Sequence, residues 1–130
     1  MSHVVVAIIT KEGNPDSYLL VSSNTDFGEF TGYYYPPSGH IEESETEEDA
    51  LKREVFEELG LTITSSNKIA DTAGDIHDQH TSWYKCGVEN YDLVVDRVEL
   101  RDARFFTQKE MLALPIWPAT KAIFLQHIFL

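Results

Sequence analysis

The chain has 130 residues, of which 42% are hydrophobic and 25% are charged, a composition that is ordinary for one globular domain. It excludes a disordered chain, a collagen-like repeat and a disulfide-rich scaffold, and the single cysteine, Cys86, has no partner within the chain for a bridge. The formal net charge of −12 disfavours a protein that holds a nucleic-acid backbone through its own positive charge.

The N-terminal part of the chain predicts strands joined by turns. Val4–Ile9 is a continuous apolar run rich in β-branched residues, which is typical of a strand buried on both faces. A turn at 11–16 leads to a returning strand at 18–21, and the polar residues 22–32, which include two glycines, predict a loop. Residues 33–35 predict a short strand that ends at two prolines, because proline cannot donate to a strand ladder.

The most clearly marked helix is predicted at residues 46–59. Two N-terminal capping patterns are present, one that starts at Ser44 and is the stronger capping box, and one that starts at Thr46. Gly60 stands where helices commonly end in a left-handed residue.

The C-terminal part of the chain continues the mixture of strands and helices. Strands are predicted at 61–63, 68–73, 81–88 and 103–106. Thr107 and Glu110 form a further capping box that predicts a short helix through Leu114, and a final helix is predicted from about residue 119. This order predicts one mixed α/β domain over residues 1–130. Since no apolar run approaches the roughly 20 residues of a membrane span, we expect a soluble, cytoplasmic protein.

The predicted helix carries a concentration of negative charge. Nine acidic residues and two basic ones lie between Glu42 and Glu58. If Glu54 is placed at zero on a helical wheel of about 100° per residue, Glu57 falls at about −60° and Glu58 at about +40°. Carboxylates at this spacing repel one another. They become favourable around a hard divalent cation that can also bind phosphate, although a solvated acidic face is the commoner explanation of such a run.

The sequence from Gly39 to Leu61, GHIEESETEEDALKREVFEELGL, changes that balance because it resembles the Nudix box. The box requires Gly, five residues, Glu, seven residues, Arg-Glu-aliphatic, one residue, Glu-Glu, one residue and Gly-aliphatic. All nine specified positions match, namely Gly39, Glu45, Arg53, Glu54, Val55, Glu57, Glu58, Gly60 and Leu61. The chain departs from the family just upstream, where Pro37-Ser38-Gly39 replaces a frequent Pro-Gly-Gly. The resemblance implies a Nudix-like α/β/α sandwich with a mixed β-sheet on which the box helix packs.

The resemblance also implies a site and a reaction. Members of the family use a divalent metal, Mg²⁺ or Mn²⁺, to cleave the pyrophosphate linkage of a nucleoside diphosphate derivative. By this similarity the metal ligands would be Glu54, Glu57 and Glu58, with the Gly39 carbonyl as a further candidate. Glu54 would also orient or deprotonate the attacking water, and Arg53 would hold a glutamate in place through a charge-assisted hydrogen bond, which completes the expected catalytic set.

Further candidate residues are Glu45, within the box, and several residues outside it. Glu45 is expected to brace the junction between loop and helix. Glu99 is equally consistent with an extra metal ligand or base and with an exposed charge. Phe27 and Tyr34 are expected to contact the substrate, because aromatic rings stack on nucleobases, whereas Trp117 is expected in the core of the last helix.

The sequence also leads to expectations about the substrate and the partners. The small size of the chain favours a nucleoside triphosphate pyrophosphohydrolase; an ADP-ribose or nucleotide-sugar pyrophosphatase and a catalytically silent nucleotide sensor are the alternatives. The expected partner is a small nucleotide, with no nucleic-acid polymer and no membrane, and a homodimer is left open. Residues 75–80 contain two His and two Asp, and we interpret them as a polar turn rather than a second metal site. An EF-hand-like calcium module is disfavoured because the loop lacks alternating Asp/Asn ligands.

Overall fold

The computed structural model describes residues 2–73 and 78–129. The strands are β1 Ser2–Lys11, β2 Ser17–Ser23, β3 Ser38–His40, β4 Ile63–Ala73, β5 Gln79–Val88 and β6 Leu100–Thr107. The helices are α1 Glu47–Leu59, α2 Gln108–Leu112 and α3 Pro118–Ile123, with a 3₁₀ turn at Gly28–Phe30 and a π-helical turn at Phe124–Ile128. The longest of these helices has 13 residues, and none of them is long and apolar enough to cross a bilayer.

The sheet is built around β1. Its strand order is β4-β5-β1-β2-β6, and β3 also pairs with β1. The β1–β5 pair is parallel, whereas β1 pairs with β3 and with β2 in the antiparallel sense. The predicted mixed sheet is therefore confirmed.

Alternate residues of β1 belong to two separate hydrophobic layers. On one face Val5, Ala7 and Ile9 pack against α1, which contributes Ala50, Leu51, Val55 and Leu59. On the other face Val4, Val6 and Ile8 pack with Met111 of α2 and with Ile123 and Phe124 at the end of α3. A strand covered on both faces needs apolar side chains at every position, which explains the unbroken apolar run. The arrangement confirms the expected α/β/α sandwich.

Two strand predictions were wrong in detail. Residues 33–35 form only isolated bridges, from Tyr35 to Val21 and from Tyr34 to Ile116, and the regular strand β3 lies beyond the two prolines. There the chain regains its N–H donors and pairs with the edge of β1. The two strands predicted at 61–63 and 68–73 are one strand, β4, with register irregularities that interrupt the apolar alternation.

Capping residues explain where α1 begins and ends. Thr46 is the N-cap, and its hydroxyl accepts a hydrogen bond from the Asp49 backbone N at 3.1 Å. The stronger capping box expected at Ser44 does not form, because Ser44 lies before the helix with a φ of 70°. Gly60 ends the helix with a φ of 68°, as predicted.

The segment 75–80, interpreted as a polar turn, is described only in part. Residues 74–77 lie outside the described residues, so Asp75 and His77 are not placed. Asp78 lies in a turn, and Gln79 begins β5.

Candidate active site

Arg53 fixes the loop that precedes α1 to the helix. Its Nε and Nη2 donate to the two carboxylate oxygens of Glu45 at 2.7 and 2.9 Å, and Nη2 also donates to the His40 carbonyl oxygen at 3.0 Å. Nη1 donates to Glu54 Oε1 at 2.7 Å. Glu45 in turn accepts a hydrogen bond from the Glu42 backbone N at 2.8 Å. The bonds from Arg53, followed by that from Glu42, lower the pKa of Glu45 to about 2, so this carboxylate stays charged and the loop stays closed on the helix.

Gly39 allows Glu54 to lie directly against β3. The β1–β3 register places Gly39 opposite Val5, whose side chain packs on the α1 face of the sheet. A Cβ atom added at Gly39 would overlap the carboxyl end of the Glu54 side chain. The glycine of the box is therefore required by a side chain 15 positions further along the chain rather than by its own backbone angles.

Glu58 is a partly buried carboxyl group for which the described residues supply no counter-ion. Its Oε1 atom is buried and has no hydrogen-bond partner in the described part of the chain. Burial, and then the negative charges of Glu54 and Glu99, raises the pKa of Glu58 to about 8. Burial also raises the pKa of Glu54, although Arg53 acts in the opposite direction. Such a group would be stabilised by a positive charge placed beside it.

Glu57 and Glu99 lie at the solvent side of this cluster. The Glu57 side chain is 58% exposed and comes within 3.5 Å of Arg53 Nη1. Glu99 is exposed, in the segment just before β6, and its charge acts on Glu58. The structure thus brings the expected carboxylates to one end of α1. Within residues 2–73 and 78–129, however, no three His, Cys, Asp or Glu side chains already converge as a metal-binding group.

A cavity of about 240 Å³ reaches Gly39, the residue that lies against Glu54. Both tryptophans of the chain, Trp83 and Trp117, line it. The other lining residues are Val4, Val6, Phe27, Tyr35, Pro36, Ser38, Gly39, His40, Gln79, Thr81, Ala119 and Thr120. The cavity lining thus combines apolar and aromatic side chains with polar ones.

The two expected substrate contacts differ in position. Phe27 lines the cavity and packs edge-on against Trp117, with ring centroids 5.3 Å apart. Tyr34 does not line the cavity; it is buried, its hydroxyl donates to Asp102, and its ring packs against Phe106. Trp117 has a low exposure of 9%, which fits its expected place in the core, but it also forms a wall of the cavity.

Residues 35–40 separate the cavity from the carboxylates. Tyr35 packs edge-on against Trp117 on the cavity side. Burial, and then the charge of Glu58, raises the pKa of the Tyr35 hydroxyl to about 12. Gly39 lines the cavity and lies against Glu54. A ligand that occupied the cavity could therefore reach the carboxylates across this segment.

Sequence reasoning missed a second set of contacts that positions α1. Glu47, in the first turn of the helix, accepts a hydrogen bond from the Tyr84 hydroxyl at 2.6 Å. Its carboxylate also lies 3.1 Å from Lys68 Nζ and 3.4 Å from His3 Nε2. These partners come from β5, β4 and β1, and no local spacing in the sequence identifies them. Together they fix the start of α1 against three strands.

Comparison with known protein sequences places the chain among proteins of one family. The NUDIX-domain family model matches residues 1–128. The chain is 30% identical to the nucleoside triphosphatase NudI of Enterobacter sp. (strain 638), over 95% of this chain and 94% of that protein. It is 27% identical to the NAD-capped RNA hydrolase NudC of Haemophilus influenzae, over 81% of this chain and 39% of that protein. The matched region thus spans about two fifths of NudC.

Solved structures show the same fold. The NUDIX domain of Shewanella oneidensis NrtR, solved with ADP ribose, matches with a TM-score of 0.81, at 17% identity over 95% of this chain and 84% of that one. A MutT structure, from work on Aliivibrio salmonicida and Vibrio cholerae, matches with a TM-score of 0.78, at 17% identity over 96% and 94% of the two chains. At these identities the similarity concerns the fold alone.

The contact between Gly39 and Glu54 can be tested by adding one methyl group. In Gly39→Ala the new Cβ displaces the carboxyl end of Glu54 from β3 and breaks its 2.7 Å hydrogen bond from Arg53 Nη1, and the loss of a hydrogen bond between charged groups lowers the free energy of unfolding by about 1.5–3 kcal/mol. Urea unfolding measures the difference. Ser38→Ala, at the neighbouring position of the same strand, is the control and should unfold close to wild type. Equal stability of Gly39→Ala and wild type would contradict the contact.

The buried carboxyl of Glu58 predicts a pH-dependent stability in EDTA. The folded protein retains this proton up to a pKa of about 8, whereas the unfolded chain releases it near the ordinary glutamate pKa of 4.5. The group therefore stabilises the fold fully below pH 4.5, and that contribution is lost as the pH rises toward 8.

The measurement is the melting temperature of wild type and Glu58→Gln between pH 4.5 and 9. Because the variant has no proton to lose, its stability relative to wild type should increase across that window and then level off. Glu57→Gln, at the exposed position on the same helix, is the matched control and should show a much flatter difference. A constant difference for Glu58→Gln would show that the carboxyl is not desolvated.

Proposed function

Because the chain belongs to the Nudix family, we propose that it is a divalent-metal-dependent hydrolase that cleaves the pyrophosphate linkage of a nucleoside triphosphate. The observation that supports this most strongly is the buried, unpartnered oxygen of Glu58 beside Glu54 at the end of the box helix. A buried polar atom without a partner calls for an explanation, and a bound cation is one. Neither a fold-stabilising nor a solubilising role would explain a desolvated carboxyl at this place.

The donor set fits a hard cation. Mg²⁺ and Mn²⁺ prefer oxygen ligands, and the carboxylates of Glu54, Glu57 and Glu58 would hold the ion, with the Gly39 carbonyl and Glu99 as further ligands. When bound, such an ion neutralises pyrophosphate oxygens and activates water for attack at phosphorus. The raised pKa of Glu58 implies that the ion competes with a proton, so metal affinity should increase with pH up to about 8.

Arg53 and Glu54 would supply the remaining chemistry. Arg53 holds one oxygen of Glu54 at 2.7 Å, which leaves the other oxygen to orient a water molecule or accept its proton. Burial raises the pKa of Glu54, which makes its carboxylate a better base than an exposed glutamate. We therefore assign Glu54 as the candidate base and Arg53 as the residue that positions it.

The aromatic cavity is the proposed place for the nucleobase. Phe27, Trp83 and Trp117 offer ring surfaces to a base, and stacking on such surfaces is favourable for every base. Tyr34 is not part of this proposed contact set because it lies outside the lining. A base held there would direct the phosphates across residues 35–40 toward the glutamates.

The proposed substrate class rests on the NudI relative, which is similar along almost its whole length and is named a nucleoside triphosphatase. An ADP-ribose or nucleotide-sugar substrate is the second candidate, because the NrtR domain of the same fold was solved with ADP ribose. A small nucleotide is favoured over a nucleic-acid polymer by the net charge of −12. We propose a cytoplasmic location, since a single cysteine that cannot form a bridge within the chain suits a reducing compartment.

A hydrolysis panel tests the proposal. Nucleoside triphosphates and their deoxy and oxidised forms, ADP-ribose, nucleotide sugars, dinucleoside polyphosphates and NADH are compared across a Mg²⁺ titration. We expect activity on nucleoside triphosphates, lowered by about a hundredfold or more in Glu57→Gln and Glu58→Gln because a cation that stabilises the transition state is lost.

Asp49→Asn is the matched control, since it removes the same charge from an exposed position of the same helix. It should retain wild-type turnover. Equal activity of the Glu57 and Glu58 variants and wild type would contradict the site, and nucleotide binding without turnover in any class would favour a sensor.

A further inference from the structure

Three adjacent strands, β5, β1 and β3, form the floor of the cavity. Their register aligns the lining side chains in two rows, Trp83–Val6–Ser38 and Thr81–Val4–His40. Residues that pair directly across strands point to the same face of a sheet. The rows therefore run from aromatic or polar positions on β5 to two polar positions, Ser38 and His40, on β3.

Ser38 and His40 flank Gly39 on the cavity face of β3. Residues two apart on a strand lie about 6–7 Å from each other, so both side chains border the same short stretch of cavity wall. Gly39 itself meets Glu54 on the opposite face. The two polar side chains therefore border the part of the cavity wall that has Glu54 behind it.

The pentose of a nucleotide connects its base to its phosphates. If the base packs against the aromatic rings and the phosphates reach Glu54 and Glu58, as the proposed function requires, the pentose lies near residues 38–40. Sugar hydroxyls both donate and accept hydrogen bonds, so they bind to polar side chains. A serine hydroxyl and an imidazole have that chemistry.

His40 is already oriented by a neighbour. Its Nδ1 lies 2.9 Å from Ser2 Oγ, and the hydroxyl can pair with this nitrogen in either tautomer of the ring. Nε2, a donor in one tautomer and an acceptor in the other, is then the ring nitrogen that is left for a ligand in the cavity. The Ser38 hydroxyl can both donate and accept, so the two side chains can pair with two adjacent hydroxyls.

We propose that Ser38 and His40 form a sugar subsite that binds the 2′- and 3′-hydroxyls of a ribose, so that the protein prefers ribonucleotides to 2′-deoxyribonucleotides. The inference rests on the proposed function, in which a nucleotide spans the cavity and the carboxylates. Ser38 also stands where the resemblance to the family leads one to expect a glycine, which has no hydroxyl to offer.

Tryptophan fluorescence provides a direct test, because both tryptophans of the chain line the cavity. The full chain is titrated in EDTA with ribonucleoside and 2′-deoxyribonucleoside monophosphates of the same base, in pairs of AMP with dAMP, GMP with dGMP and CMP with dCMP. One net hydrogen bond to a neutral group is worth about a fivefold change in affinity. Wild type should bind the ribonucleotide of at least one pair about fivefold more tightly.

The variants identify the residues responsible. Ser38→Ala, Ser38→Gly and His40→Gln should reduce the affinity for the ribonucleotide toward that for its deoxy analogue and leave the deoxy analogue nearly unchanged. Ser17→Ala, at the start of β2 and outside the cavity lining, is the matched control and should keep the preference. Circular dichroism verifies that each variant is folded.

Three results would overturn the inference. Equal or tighter binding of the deoxy analogue by wild type, or a ribose preference that survives both the Ser38 and the His40 changes, would exclude the sugar subsite and leave the proposed hydrolase standing. A fluorescence signal that no nucleotide changes would exclude nucleotide binding in the cavity and the sugar subsite with it, whereas the metal-dependent hydrolase is tested separately by the hydrolysis panel.

Discussion

The bonds from Arg53 are the constraint on which the rest of the site depends. One guanidinium group holds both oxygens of Glu45, one oxygen of Glu54 and the His40 carbonyl. The planar donor arrangement of arginine matches two carboxylates at once, and a lysine could not replace it. These bonds close the loop after β3 onto the helix and fix the side chain that Gly39 makes room for.

This arrangement supplies no positive partner for the last carboxyl of the cluster, at the end of α1. Arg53 directly pairs with Glu45 and Glu54, but Glu58 lies further along the helix, partly buried and without a partner in the described part of the chain. A fold selected only for stability would place a smaller or uncharged side chain there, because a desolvated carboxyl is costly. The cost is consistent with a position that binds a cation. At position 58 stability therefore favours an uncharged side chain, whereas the proposed activity requires a carboxylate.

Much of the fold follows from local patterns. The unbroken apolar run of β1, the cap at Gly60 and the box spacing are encoded within a few residues, so the strand, the helix end and the carboxylate face were predictable. The position of β3 was not, because two prolines displaced it past Tyr35 and its partner lies more than 30 residues away on β1. Contacts between distant parts of the chain were equally unpredictable in the site. Neither the contacts of Glu47 nor the position of Trp117 in the cavity wall follows from spacing in the sequence.

The central claim is that the carboxylates of Glu54, Glu57 and Glu58 hold a divalent cation next to a bound nucleotide. Anomalous scattering from Mn²⁺ in crystals grown with a non-hydrolysable nucleoside triphosphate analogue tests it most directly. The expected result is a manganese peak coordinated by these three side chains and by phosphate oxygens, with the base in the aromatic cavity. A peak elsewhere, or three unliganded carboxylates beside an ordered nucleotide, would contradict the claim.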